Sequence, residues 1–133
     1  MQLDLFVQTV KRKKSTRMST DEWTVKDELC HIVFWHEHYA ANYKALAEHT
    51  DPPMPQDMSS INIAGVLWLR QYSIKELLRR LQEAHDSLYT STVVHKVPQM
   101  TYSKGGRTYK TGEFLKMISR HIQTHTSRAQ RES

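Results

Sequence analysis

The sequence predicts an all-α fold: a bundle of about four helices, with a short first helix and a small hairpin or extended loop before the last. Three observations carry that prediction. Apolar residues recur at three- and four-residue spacing over long stretches. Only four Gly and four Pro interrupt 133 residues. Helix start and stop signals flank the periodic stretches. At 15.7 kDa the chain can bury one hydrophobic core, so residues 1–133 are expected to form a single domain.

Each element has its own warrant. Leu3, Phe6, Val7 and Val10 mark a short amphipathic helix that runs into the basic stretch "KRKKSTR" at residues 11–17. In "STDEWTVKDELCHIVFWHEHYAANYKALAEHT" a second helix starts at Thr24 as N-cap. Asp27 and Glu28 stand in its first turn, where carboxylates complement the helix dipole, and "DPPMP" at 51–55 stops it. Residues 61–92 read as helix again, either one long kinked helix or two abutting ones, with "SIKE" at 73–76 as a capping box. "MTYSKGGRTYKT", residues 100–111, is β-branched and aromatic around a Gly-Gly pair and suits the hairpin or extended loop. The last helix runs from Glu113 to about Arg128.

Composition narrows the function classes. The formal charge is +5, but aromatic residues are not interleaved with the "KRKK" run and no nucleic-acid motif follows it. That run reads as a solvated linker or helix end, and nucleic acid is not expected as a partner. No apolar run approaches a membrane span, and at the N-terminus the basic cluster follows the apolar part, the reverse of a signal peptide. The lone Cys30 excludes an internal disulfide and suits a reducing compartment, with the thiol acting as a small buried apolar group. A soluble cytoplasmic protein is expected.

Histidine supplies the chemistry. In "FLKMISRHIQTHTSR", residues 114–128, His121 and His125 lie near the middle of the apolar stripe formed by Phe114, Leu115, Met117, Ile118 and Ile122. Four residues apart, the two imidazoles stack along one helix face, and burying both leaves several ring nitrogens in need of partners. A divalent metal would satisfy one nitrogen of each ring; hydrogen bonds to buried carbonyls, or a wet cleft, would serve as well. A third ligand must come from the second helix, which offers His31, His36 and His38. Periodicity alone prefers His36, which lies in the stripe of Val25, Leu29, Ile32, Tyr39, Tyr43 and Leu46, while His31 and His38 lie on the flank with Trp35 and Asn42. An open catalytic site favours the edge of the stripe, which keeps His31 in play. His49, His85 and His95 fall near loops or helix ends and are expected at the surface.

These residues resemble a known family. "EWTVKDELCHIVFWHEHY" is similar to the signature of the DinB-like (YfiT-like) superfamily, in which a Trp, a short polar step, an Asp and a His–Trp pattern open the second helix. "SSINIAGVLWLRQYSIKELLRRLQEAHDSLY" and "RTYKTGEFLKMISRHIQTHTSRA" resemble its later helices, so the likeness spans about residues 21–130. Asn62, Ser73 to Leu77 and Leu81 to His85 are similar to the pattern of the ClbS/DfsB branch. The resemblance implies a four-helix bundle with a cleft near one end and a divalent ion, nickel or zinc, on His31, His121 and His125. It thus chooses His31 where periodicity left the choice open. Members of the ClbS branch often lack a histidine at the position of His121 and need no metal, so this His points toward the metal-binding subtype. The chain departs from the family in its first helix: Trp23 arrives so early that only about three or four turns fit before it. The groove left by that deficit is expected either to be covered by a partner chain, as in a homodimer, or to stay open as part of the binding cleft; a truncated start would explain the deficit equally well.

The expected activity is that of a metal-dependent hydrolase or thiol transferase acting on a small reactive molecule, in detoxification or self-protection. With three neutral imidazoles and an open position, an ion can lower the pKa of bound water or activate a thiol. Trp35, Tyr39 and Asn42 are expected to line the pocket, His38 to act as general base, and Asp27, one turn before His31, to orient that ring. Two alternatives stay open: a metal-independent ClbS/DfsB-like protective hydrolase, and a non-enzymatic bundle that binds a ligand or a partner.

Overall fold

Helix α2, Val25–Ala47, begins where Thr24 and Asp27 close a capping box. The Thr24 hydroxyl accepts the Asp27 N–H at 3.1 Å, and an Asp27 carboxylate oxygen accepts the Thr24 N–H at 3.1 Å. Such a cap stabilises a helix by about 1 kcal/mol. The computed structural model describes residues 3–13, 23–51, 58–94, 97, 99–101 and 107–130. Among them are five helices and no strand longer than a single bridge: α1 Leu3–Arg12, α2, α3 Met58–Leu69, α4 Ile74–Val94 and α5 Thr111–Gln130.

Helix α2 ends sooner than the proline-rich stretch requires. His49 takes a left-handed φ of 57°, its N–H donates to Leu46 O, and Thr50 N–H donates to Ala45 O. This Schellman-type turn, whose left-handed residue His49 stands three residues before "PP", satisfies the last carbonyls. The stop foreseen at residues 51–55 falls mostly outside the described residues, and the helix has already closed by then.

Residues 61–92 form two abutting helices. Ser73 accepts the Glu76 N–H and donates its hydroxyl to the Glu76 carboxylate, both at 3.1 Å, so "SIKE" is the N-cap of a separate α4. Helix α3 approaches α2 closely because Gly65 has no side chain: a Cβ there would stand 2.7 Å from the Phe34 ring. The foreseen hairpin is reduced to one antiparallel bridge between Met100 and Tyr109, with hydrogen bonds of 2.8 and 2.7 Å; residues 102–106, including Tyr102, lie outside the described residues. Most of the "KRKKSTR" run lies outside them too.

Helix α2 sits at the centre of the bundle. It packs most extensively on α4 and also meets α3, α5 and α1, while α1 covers α5. Leu77, Leu81, Ala84 and Leu88 form the seam of α4, at spacings of four, three and four. Each fully buried Leu there stabilises the fold by about 1.5–3 kcal/mol. On α5 the seam is Phe114, Ile118, Ile122, His125 and Ala129, so a histidine occupies a core position. Tyr43 ties down the segment before α5: Val97 N–H donates to its hydroxyl at 3.0 Å, and Thr111 donates its hydroxyl to Val97 O. Cys30 is wholly buried and unpaired by any disulfide; burial, then Asp27, pushes its thiol up to about 11, which fits the small apolar role. Among the described residues no helix is long and apolar enough to cross a membrane.

Candidate metal and ligand site

Because α2 is covered on several sides, it buries a second stripe besides its apolar one: Glu28, His31, Trp35, Tyr39 and Asn42, at spacings of three, four, four and three. The front of this stripe faces α5. One ring nitrogen from each of His31, His121 and His125 lies within 4.8 Å of the other two, with His31 and His125 buried and His121 half-buried. His31 Nε2 and His121 Nε2 stand 2.9 Å apart. The three rings meet at angles of 47°, 71° and 89°, so their in-plane lone pairs can converge from different directions.

Glu28 anchors this group. Its side chain is fully buried, the His125 Nδ1–H donates to it at 2.5 Å, and Arg128 lies 2.9 Å from its other oxygen. With Nδ1 bound to the carboxylate, His125 turns Nε2 toward the other two rings. Trp23 closes the same side: its ring stacks on His125 at 6.0 Å and tilts against His31 at 5.0 Å, and Arg128 lies over it at 4.8 Å. Burial first, and the neighbouring histidines second, pull the His31 imidazole down to about 2 and the His121 imidazole down to about 3. Both rings are therefore neutral at physiological pH.

The donor set suits a divalent ion. Tetrahedral zinc bound at about 2.0–2.1 Å holds its nitrogen ligands about 3.3 Å apart. The observed separations bracket that value, from 2.9 Å up to 4.8 Å, so small rotations of the rings would close the set. Behind the cluster, His31 Nδ1 is buried and has no hydrogen-bond partner among the described residues.

A cleft of about 310 Å³ opens onto this group, lined by eight residues that include His31, His121, Trp35, Tyr39, Asn62 and Arg120. The Trp35 indole N–H donates to Asn62 Oδ1 and thereby fixes α3 as a wall of the cleft. A larger hollow, about 410 Å³ and lined by Lys44, Glu48, Asp86 and Thr90 among others, has no histidine in its lining.

The remaining residues named from the sequence fall in different places. Trp35 and Tyr39 line the cleft; Asn42 is buried and outside its lining; His38 is half-buried, with its ring edge-on to Trp35 at 5.3 Å. Asp27 does not orient His31. Its carboxylate is taken up by the Thr24 N–H and by Arg70, at 2.7 and 3.1 Å, so it serves the helix cap. Burial alone would raise its pKa, but the Arg70 and Thr24 hydrogen bonds outweigh that and hold it below the usual carboxylate value. The buried carboxylate at the cluster is Glu28, which the sequence had suggested only as a first-turn acid. The expected surface position of His85 is corrected as well: it is half-buried on α4, its Nδ1 3.4 Å from Nε2 of the buried His36. His49 is exposed, and His95 lies outside the described residues. Tyr109 packs on the core beside Phe114.

Comparison with solved structures places this fold. The chain resembles the crystal structure of a mycothiol-dependent maleylpyruvate isomerase with a TM-score of 0.78 and 12% identity, over 96% of this chain and 55% of that one. A histidine-to-alanine mutant of the same enzyme matches with a TM-score of 0.77, again at 12% identity over 96% and 55%. The all-α bundle thus resembles the DinB-like fold of these structures, and the chain spans about half their length. No protein-family model matches the sequence, and no curated protein matches it.

Proposed function

We propose that this chain is a thiol-using enzyme of the DinB-like type that acts on a small reactive molecule, with a divalent ion, nickel or zinc, held by His31, His121 and His125. The observation that carries this reading is the convergence of three ring nitrogens within 4.8 Å beside a solvent-facing cleft. The thiol is suggested by the isomerase of like fold, whose name makes it mycothiol-dependent. Bound there, a divalent ion supplies a Lewis acid that lowers the pKa of a thiol or a water at its open position.

The chain's own residues prepare that chemistry. Glu28 holds the His125 Nδ1–H and fixes the ring that presents Nε2. Trp23 covers the rear of the cluster and limits water there. Trp35 and Tyr39 give the cleft apolar walls against which a small substrate can rest. His38, edge-on to Trp35, is the proposed base for a proton released at the cleft mouth. A homodimer belongs to this reading: α1 is only 10 residues long, and Ile63, Leu67 and Trp68 stand exposed on α3. Sedimentation as a monomer at micromolar concentration would remove that part. The lone, buried Cys30 accords with a cytoplasmic setting.

One observation favours a second reading. The 2.9 Å between His31 Nε2 and His121 Nε2 is an ordinary N–H···N hydrogen-bond length, and such a bond satisfies one nitrogen of each ring with no ion present. The site then becomes a metal-independent, water-using one of the ClbS/DfsB-like kind, a protective hydrolase. Elemental analysis of protein purified without a histidine tag separates the two. Near-stoichiometric metal, lost in His31→Ala, His121→Ala and His125→Ala while helicity persists, supports the first. Parent protein that stays metal-free when offered zinc or nickel leaves only the second.

A further inference from the structure

We propose that the cleft beside the three histidines takes a small carboxylate, with Arg120 as the group that receives it; this deepens the reading above by naming the substrate's recognition group. Arg70, Arg79, Arg80, Arg107 and Arg128 each pair with a carboxylate of the chain. Arg120 is exposed on α5 at the cleft and has no carboxylate within ion-pair reach among the described residues. A guanidinium offers a planar fork of donors that matches a carboxylate with two parallel hydrogen bonds, and here no carboxylate among the described residues takes up that fork.

The rest of the lining points the same way. None of the eight lining residues is acidic. The nearby Glu28 is turned away from the cleft and already engaged by His125 and Arg128. The Trp35 indole N–H is taken by Asn62 Oδ1, and the Thr124 hydroxyl donates to Arg120 O at 3.0 Å. With Oδ1 committed to Trp35, Asn62 keeps its amide N–H groups for a ligand. The cleft therefore pairs spare donors, on Arg120 and Asn62, with apolar walls from Trp35, Tyr39 and Met117 that lower the local dielectric and strengthen a charged hydrogen bond. Its volume of about 310 Å³ lies at the small end of ligand pockets and admits a small carboxylate with room to spare.

The test is calorimetric titration of the full chain, zinc-loaded and chelator-treated, with malonate and with its neutral counterpart malonamide. Malonate is expected to bind the parent and to bind Arg120→Gln about tenfold more weakly, as loss of a hydrogen bond to a charged group implies. Arg120→Lys keeps the charge without the fork and is expected to fall between them. Malonamide is expected to bind weakly and equally to all three. Equal malonate affinity in parent and Arg120→Gln overturns the proposal, as does malonamide binding as tightly as malonate, or no malonate binding at all. The metal reading fails separately. Arg120-dependent malonate binding in protein that cannot take up zinc would sink the metal and keep the carboxylate site, whereas retained zinc with Arg120-independent malonate binding would do the reverse.

Discussion

Two groups of histidines cross this bundle, and they differ in what they can do. His31, His121 and His125 meet at steep angles beside a cleft, with a buried carboxylate behind them. His36 and His85 lie nearly parallel, at 24° with centroids 5.5 Å apart, and their facing nitrogens are 3.4 Å from each other. In the first group one nitrogen from each of three rings gathers within 4.8 Å, whereas in the second only two nitrogens face each other. Burial is shared by both groups; among the described residues, a third imidazole, a carboxylate hydrogen-bonded to a ring and a cleft lined by two of the rings belong to the first alone. The lesson is that a buried histidine becomes a candidate ligand through its ring's orientation and its second nitrogen's partner, and sequence position alone reports neither.

The comparison can be broken by metal content. Replacing His31, His121 or His125 with Ala is expected to lower zinc affinity by more than about 100-fold, since a three-ligand site loses a third of its donors. His36→Ala and His85→Ala are expected to retain the metal of the parent. Metal lost equally from all five variants would erase the distinction drawn between the two groups.

Glu28→Gln tests the carboxylate that holds His125. The amide keeps the volume and a hydrogen bond but removes the charge that fixes His125, and a loss of about 10–100-fold in zinc affinity is expected. Competition with a chelator dye reads the value. Affinity equal to the parent's would make Glu28 a purely structural partner of Arg128.

The second group is expected to appear in the pH dependence of stability. Burial, then His85, pulls the His36 imidazole from 6.5 down to about 4, and burial lowers His85 too. The unfolded chain then binds protons that the folded chain refuses. Stability is therefore full above pH 6.5 and falls as pH drops toward 4, with about 2 kcal/mol lost on His36 between pH 7 and pH 5. His36→Leu should flatten urea-unfolding free energy over that window by this amount, whatever its effect at pH 7. An unchanged slope would show that His36 is not buried neutral.

The smallest effect lies at the end of α2, remote from both groups. His49 holds a left-handed φ of 57° that costs a residue with a Cβ about 1 kcal/mol relative to glycine. His49→Gly is expected to raise the urea midpoint by a corresponding amount and to leave zinc content unchanged. A lower midpoint would mean that the turn is held by more than its backbone geometry.

Much of this was legible because local rules act over a few residues. The cap at Thr24, the N-cap at Ser73, the seam of α5 and the place of His121 and His125 near it all follow from spacing and from short-range hydrogen bonding. The resemblance to the DinB-like superfamily named His31 where periodicity leaned toward His36, and these are the two histidines that the two stripes of α2 divide between the groups. Glu28 was less legible, although it begins the stripe Glu28, His31, Trp35, Tyr39, Asn42: a carboxylate in a first turn has an ordinary explanation in the helix dipole. The sequence by itself thus determined the helices, their caps and the supply of imidazoles, because those depend on neighbours within about four residues. Only the tertiary structure decided that Asp27 serves Arg70 while Glu28 serves His125, that His85 turns inward to His36, and that Arg120 alone among the cleft residues carries an unmatched charge among the described residues. Each of those outcomes joins residues at least 43 apart in the chain or depends on which carboxylates come within reach, and the packing of one helix on another sets that reach.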